Sequence, residues 1–342
     1  MPSLPVRPRL EDVAARAGVS TASASLVLRG KPGPSQQTRE SVLAAADELG
    51  YRPDRTASLL ARRRTQLLGV TMDVSSPFHA ELLEEIHLAA DARGYDVVVS
   101  PLTRARTEHH AVESLLDFRC EALLLLGPAM AEAELAGLGA QRAVVVIGRR
   151  LTAPGVDVVR AADDVGVGLA VEHLVGLGHR AVAFVDGPRG PIATLRRQGY
   201  RHAVRRLLGP DAVEVVAGGA TEEDGARAAS APTSGSPTAF VAFNDRCALG
   251  LLDRFRRDGI GVPDQVSVVG YDDSPLARLG TVELTTVSQS PQAMAEAAVA
   301  AAVERLEGSR TEHVDVVLEP HLVVRGTTGP PHPAGSGYPR VQ

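Results

Sequence analysis

The 342-residue sequence predicts an all-α helix-turn-helix head joined to an α/β body of two doubly wound parallel-sheet subdomains. Three observations carry that prediction. Short helical patterns separated by glycines run from Leu10 to Gly50. From Leu67 onward, apolar runs alternate with amphipathic stretches at a spacing of about 25 to 30 residues, the rhythm of β-α-β units. Charge is also split: residues 1–66 hold eleven Arg or Lys against six Asp or Glu, a net of +5, which leaves -10 of the overall -5 for the remainder. A basic head on an acidic body is suited to a polyanion, although basic segments are often only solvated.

Composition narrows the class further. With 44% hydrophobic and 23% charged residues the chain is globular, and no apolar run approaches the roughly 18 residues of a membrane helix. Met1 to Leu10 lacks a secretory apolar core, so a cytoplasmic location is expected. Cys120 and Cys247 stand far apart and without companions at metal-ligand spacing, so neither a disulfide framework nor a metal site is expected.

Taken in order, Glu11-Asp12 followed by Val13, Ala14 and Ala17 reads as a short helix with acidic residues in its first turn, ended by Gly18. Ser20 can cap a second helix over about 21–28, with Val27 and Leu28 inward and Thr21, Ala22, Ser25 and Leu26 outward. Beyond the Gly30–Pro34 loop, Ser35 can cap a third helix whose Val42, Ala46 and Leu49 share one face, and Gly50 ends it. The stretch 55–61 is a short helix candidate that needs support to form. In the body, strands are predicted at 67–72, 96–100, 122–127 and 143–148, then at 180–185, 213–217, 239–243 and 266–271, with helices such as 80–93 and 166–177 between them. Open parallel sheets bind ligands beyond the carboxyl ends of their strands, where this chain places Asp73-Val-Ser-Ser-Pro-Phe-His, Arg149, Asn244-Asp245-Arg246 and Asp272-Asp273.

The segments Leu10–Leu28, Thr38-Arg39 and Glu48-Leu-Gly-Tyr-Arg-Pro-Asp resemble the DNA-binding head of LacI-type (LacI/GalR family) transcriptional regulators. The resemblance continues through Ser76-Pro-Phe, Leu177-Gly-His-Arg, Phe243-Asn-Asp, Val269-Gly-Tyr-Asp-Asp and Leu284-Thr-Thr-Val, and so covers nearly the whole chain. It implies a periplasmic-binding-protein-like body and the domains 1–53 (head), 54–66 (hinge), 67–160 with 289–318 (N-subdomain), 161–288 with 319–330 (C-subdomain) and 331–342 (mobile tail). It also implies a dimer, with a tetramer as the alternative, that represses transcription from a pseudo-palindromic operator in double-stranded DNA under a small-molecule effector, commonly a sugar. No leucine heptad follows Arg325, which favours the dimer.

The same resemblance places Thr21, Ala22, Ser25 and Leu26 at base edges in the major groove and Ser20, Ser23 and Arg29 at phosphates. Arg55, Ala57, Ser58 and Leu60 fall in the hinge, with Leu60 as a minor-groove wedge; on periodicity alone Leu60 reads as an ordinary core aliphatic. Ser76, Phe78, His79, Arg149, Arg196, Asn244, Asp272 and Gln289 are the implied effector contacts. Taken singly, Asn244 or Asp272 could equally cap a helix and Arg196 could be solvated. Departures are visible: Leu26 stands where many relatives carry Arg, Arg29 where they carry Asn, Ser58 replaces a hinge Arg, and Gly148 stands where many sugar binders have Asp. Trp is absent, which removes the strongest stacking platform for a sugar ring. No phosphate loop, zinc-protease helix or nucleophile elbow is present, so neither an enzyme nor a cofactor is expected. A transporter's solute-binding protein, the other rival, would not need the head.

Overall fold

The computed structural model describes residues 8–28, 30, 32–51, 64–233 and 236–332. The chain forms two compact units, Met1–Thr65 and Gln66–Gln342.

In the first unit, α1 (Leu10–Ala17) begins where the Asp12 carboxylate accepts the Arg9 N–H at 2.7 Å, and it ends at Gly18, whose φ of 67° is left-handed. Helix α2 (Thr21–Leu28) follows Ser20, whose hydroxyl accepts the Ser23 N–H at 3.2 Å. Helix α3 (Gln36–Glu48) is capped the same way by Ser35 through the Thr38 N–H. Val13, Ala14, Ala24, Val27, Val42, Ala45 and Ala46 are buried together, and Leu10, Val19, Leu28 and Tyr51 close the edges. These side chains are small, so this unit rests on a slender core.

The second unit holds two parallel sheets. The first has the order β11-β5-β4-β3-β1-β2, with β1 Leu67–Asp73, β2 Asp96–Leu102, β3 Ala122–Leu126, β4 Ala143–Ile147, β5 Val156–Ala161 and β11 Asp315–Leu318. One face packs Leu68, Val70, Leu124 and Ile147 against α4 (Pro77–Asp91) and α11 (Pro291–Leu306), through Leu82, Ile86, Met294 and Val299. Helices α5 (Glu108–Asp117) and α6 (Glu132–Gly139) complete the crossovers.

The other sheet has the order β7-β6-β8-β9, with β6 Val182–Val185, β7 Glu214–Val216, β8 Ala239–Ala242 and β9 Ser267–Val269. Val182 and Phe184 face α7 (Asp163–Gly176) and α8 (Pro191–Leu208), whereas Ala183 and Val185 face α9 (Glu222–Ala228) and α10 (Asp245–Arg257). The strand alternation thus buries both faces, as a doubly wound sheet requires. A short antiparallel pair, β10 (Thr286–Ser288) with β12 (His321–Val323), carries the chain back between the sheets.

Four strands fall outside the eight that periodicity predicts. β5 follows β4 without an intervening helix, and Asp157 and Arg160 interrupt its apolar run. β11 is an edge strand with alternating exposure, and β10 and β12 have three residues each. Asp157 is nonetheless structural: fully buried, it accepts hydrogen bonds from Arg305 at 3.1 Å, from Arg310 at 2.9 and 3.0 Å, and from the Val314 N–H at 2.9 Å, which ties α11 and the approach to β11 onto β5. Asp157→Ala is expected to lower the unfolding free energy of the body by about 2–3 kcal/mol in urea titration, because two guanidiniums lose their buried partner. An unchanged midpoint would contradict that role. No helix among the described residues is long and apolar enough to cross a membrane.

Candidate functional site

The head presents α2. Ser20, Thr21 and Ala22 are exposed and Ser23, Ser25 and Leu26 half-buried, while Ala24 and Val27 anchor the helix inward. Ser20 and Ser23 are partly engaged with each other, their hydroxyls 3.0 Å apart. What faces outward is a row of short hydroxyls, methyls and one leucine. Arg29, Arg55, Ala57, Ser58 and Leu60 lie outside the described residues.

In the body, the carboxyl ends of β1, β3, β4, β8 and β9 converge on a cavity of about 280 Å³. Ser76, Phe78, His79, Arg196, Asn244, Asp272 and Gln289, all expected at a binding site, line it together. Arg149 does not. It lies just beyond Gly148, whose φ is 82°, and its buried guanidinium donates to the Pro128 and Met130 carbonyls at 2.9 and 2.6 Å; the expected ligand contact is a loop clamp instead.

The second-sheet wall is built around Arg196 on α8. Its Nε donates to Asp163 at 2.8 Å, one terminal nitrogen donates to the Phe243 carbonyl at 2.6 Å, and the other lies 3.6 Å from Asp272. The guanidinium stacks on Tyr271 at 3.7 Å from the ring centroid and lies 4.9 Å from that of Phe243. Gln289 donates to Asp272 at 2.7 Å. Asn244 is the N-cap of α10, accepting the Cys247 N–H at 2.9 Å, and its amide donates to the Ala220 carbonyl at 3.1 Å. It is therefore a cap and a cavity residue at once. Asp245 is held by the Ser274 N–H at 2.7 Å and the Thr286 hydroxyl at 2.5 Å. Asp272 and Asp273, at φ 114° and 53°, occupy a conformation that costs a non-glycine residue energy; it is maintained by the bridge of Asp272 to Ser288 and by Arg325 on Asp273 at 2.6 Å.

Burial raises the pKa of Asp272 to about 7, opposed by Arg196 and reinforced by Asp245. With a folded-state pKa above the ordinary carboxylate value, this group binds more protons folded than unfolded between about pH 4 and pH 7, so its contribution makes stability fall as pH rises through that window. Comparing wild type with Asp272→Asn isolates it: the stability difference should move against wild type between roughly pH 5 and pH 8, and a pH-independent difference would contradict the assignment.

Two residues that hold the site, Asp163 and Tyr271, are not among the expected contacts; both position Arg196. Arg246, part of the strand-end segment Asn244-Asp245-Arg246, pairs with Glu222 at 2.8 Å and lines the cavity. Asp163 and Arg196 lie 33 residues apart on different helices, and no local pattern links them.

Residues 9–54 match the family of bacterial regulatory proteins, lacI family, and residues 171–328 match the periplasmic binding protein-like domain. The chain is similar to the HTH-type transcriptional regulator reg1 of Streptomyces lividans, at 36% identity over 94% of this chain and 96% of that one. Among solved structures it resembles the lac repressor dimer bound to operator and the anti-inducer ONPF, at TM-score 0.80 and 29% identity over 95% of this chain and 100% of the other. It also resembles the transcriptional regulator CelR in complex with cellobiose, at TM-score 0.66 and 31% identity over 94% and 100%.

Proposed function

The chain belongs to the lacI family of bacterial regulatory proteins, and on that premise we propose that it is a homodimeric repressor, acting in the cytoplasm, whose operator affinity is set by a sugar-like effector held in the body cavity. Membership makes it a DNA-binding transcriptional regulator of the helix-turn-helix class. The observation that carries the rest is the presence in one chain of an outward-facing α2 and a cavity that sets polar side chains beside apolar ones at a convergence of strand ends. The solved relatives support it: one is a dimer on operator with ONPF, the other a complex with cellobiose.

In this reading Thr21, Ala22, Ser25 and Leu26 meet base edges, and Ser20, Ser23 and Arg29 meet phosphates. Arg55, Ala57, Ser58 and Leu60 form the hinge, and Leu60 wedges a central base step. The subdomains 67–160 with 289–318 and 161–288 with 319–330 close on the effector. In this reading the cavity is a binding site: Asp272 is engaged by Arg196 and Gln289, and Asp245 by Thr286 and Ser274.

The test is linkage. Neutral mono- and disaccharides are screened for stabilisation of the full chain, and operator affinity is measured with and without a stabilising sugar. A change of about 5- to 150-fold is expected, with an equal reciprocal change in sugar affinity on operator. Identical operator affinities would refute effector control.

A further inference from the structure

The two walls of the cavity differ in chemistry. On the second-sheet wall stand Arg196, Asn244, Asp272 and Gln289, a set of donors and acceptors suited to hydroxyl groups. The first-sheet wall is largely apolar, formed by Phe78, Leu82, Leu126 and Ile147. At the ends of β3 and β4 it carries only glycines: Gly127 and Gly148 are both left-handed, at φ 55° and 82°, and a side-chain carbon added to Gly148 would meet nothing within 4 Å. At these two strand ends the wall offers a ligand no side chain.

His79 stands beside these glycines and supplies a polar group to the wall. Its Nδ1 accepts the Asp73 N–H at 3.1 Å, so in the neutral ring the proton resides on Nε2. Nε2 lies on the Gly127 side of the cavity, 3.8 Å from where a Gly127 Cβ would sit. Burial keeps the ring uncharged, lowering its pKa to about 4 against the pull of Asp73. The other charged groups lining the cavity are Asp73, Arg196, Asp245, Arg246 and Asp272.

Arg196 is paired with Asp163, and Arg246 with Glu222. Counting Asp73 and Asp245, two guanidiniums face four carboxylates among the described residues at and behind the lining, and Asp272, with its pKa raised to about 7, adds a fifth only in part at neutral pH. An entering acid or phosphate would give up its hydration and find each cation already paired, next to carboxylates that repel it.

We propose that the cavity is specific for an uncharged, polyhydroxylated effector that presents an oxygen acceptor to the Nε2–H of His79 and its hydroxyl edge to Arg196, Asp272 and Gln289, and that it excludes sugar acids and sugar phosphates. This inference rests on the reading of the cavity as the effector site. The specificity follows from paired cations on one wall and, on the other, the neutral His79 donor beside the hydroxyls of Ser75 and Ser76.

The experiment has two arms, both on the full chain. In the first, a panel of neutral mono- and disaccharides, including glucose, maltose and cellobiose, is titrated by calorimetry beside the corresponding uronates and 6-phosphates. A neutral sugar is expected to bind, with its charged counterparts about 100-fold weaker or more. His79→Phe should weaken the neutral sugar about tenfold, and His79→Gln, which restores an N–H donor, should recover part of the loss. Unliganded melting confirms that both variants fold. A uronate or phosphate that binds as tightly as its neutral parent, or a His79→Phe affinity equal to wild type, overturns the inference and leaves the effector reading standing. Failure of every sugar, neutral and charged, overturns the effector reading and the inference with it.

In the second arm, which needs no ligand, ¹⁵N spectra of histidine-labelled protein, assigned with His79→Gln, should show an uncharged Nε2–H ring from about pH 8 to pH 5.5. An Nδ1–H ring, or a midpoint near the ordinary histidine value, overturns the donor assignment.

Discussion

Arg196→Met is expected to lower the stability of the body by about 3–5 kcal/mol and to abolish effector binding. Methionine keeps much of the side-chain volume and can still lie against Tyr271 and Phe243, so the loss measures charge rather than a void. What remains behind is Asp163, fully enclosed with its 2.8 Å partner gone, and Asp272, deprived of its nearest cation. Burial already raises the pKa of Asp163, held in check chiefly by Arg196, so removing the cation drives both carboxyls toward the protonated form. The deficit of the variant should therefore shrink as pH falls from about 8 to about 5, since protonation relieves the unpaired charge. Urea unfolding across that range checks both statements. A loss below about 1 kcal/mol, or one that grows on acidification, would mean that the guanidinium is not the centre of this wall.

Gly250→Ala and Gly225→Ala are each expected to cost about 1–3 kcal/mol, although each adds only a methyl group to a helix that should welcome it. Helices α9 and α10 cross at these glycines: a Cβ on Gly225 would strike the Cys247 carbonyl, and one on Gly250 the Glu222 carbonyl. Backbone cannot swing aside as a side chain can, so the helices must separate. Their N-termini carry Thr221, Asn244 and Arg246 at the cavity, and that separation should lower effector affinity as well as stability. Gly168→Ala in α7 is the control. Nothing lies within 4 Å of the added carbon, and the substitution should stabilise by about 0.5–1 kcal/mol. Thermal melts of the three variants distinguish close helix contact from ordinary helix propensity; equal shifts would rule out the contact.

Legibility followed the range of the interactions. The head was readable because its signals are local: Ser20 and Ser35 cap within three residues, and Gly18 turns the chain where a left-handed φ is needed. The eight principal strands announced themselves as apolar runs, with ends displaced by one or two residues. The strands that did not are those whose burial is decided elsewhere, above all β5, whose Asp157 looks like a strand breaker until Arg305 and Arg310 meet it from almost 150 residues away or more.

At the cavity, the polar residues following the strands were visible as candidates, and seven of the eight expected contacts line it. Arg149 was misplaced because its position at a strand end says nothing about which loop its side chain prefers. Asp163, the nearest partner of Arg196, is illegible for the complementary reason: a buried ion pair between α7 and α8 leaves no periodic trace. The tautomer of His79, set by one backbone N–H, was likewise beyond any pattern of residues.

Paired heads of a two-fold dimer should read DNA sequence as two symmetric half-sites. Selection of bound duplexes from a random library with the full chain at moderate salt, followed by sequencing, tests it most directly. A pseudo-palindromic consensus with two half-sites and a recurrent, easily kinked central step is expected. A library that shows no enrichment, while the protein still holds duplex DNA in a salt-dependent manner, would contradict it.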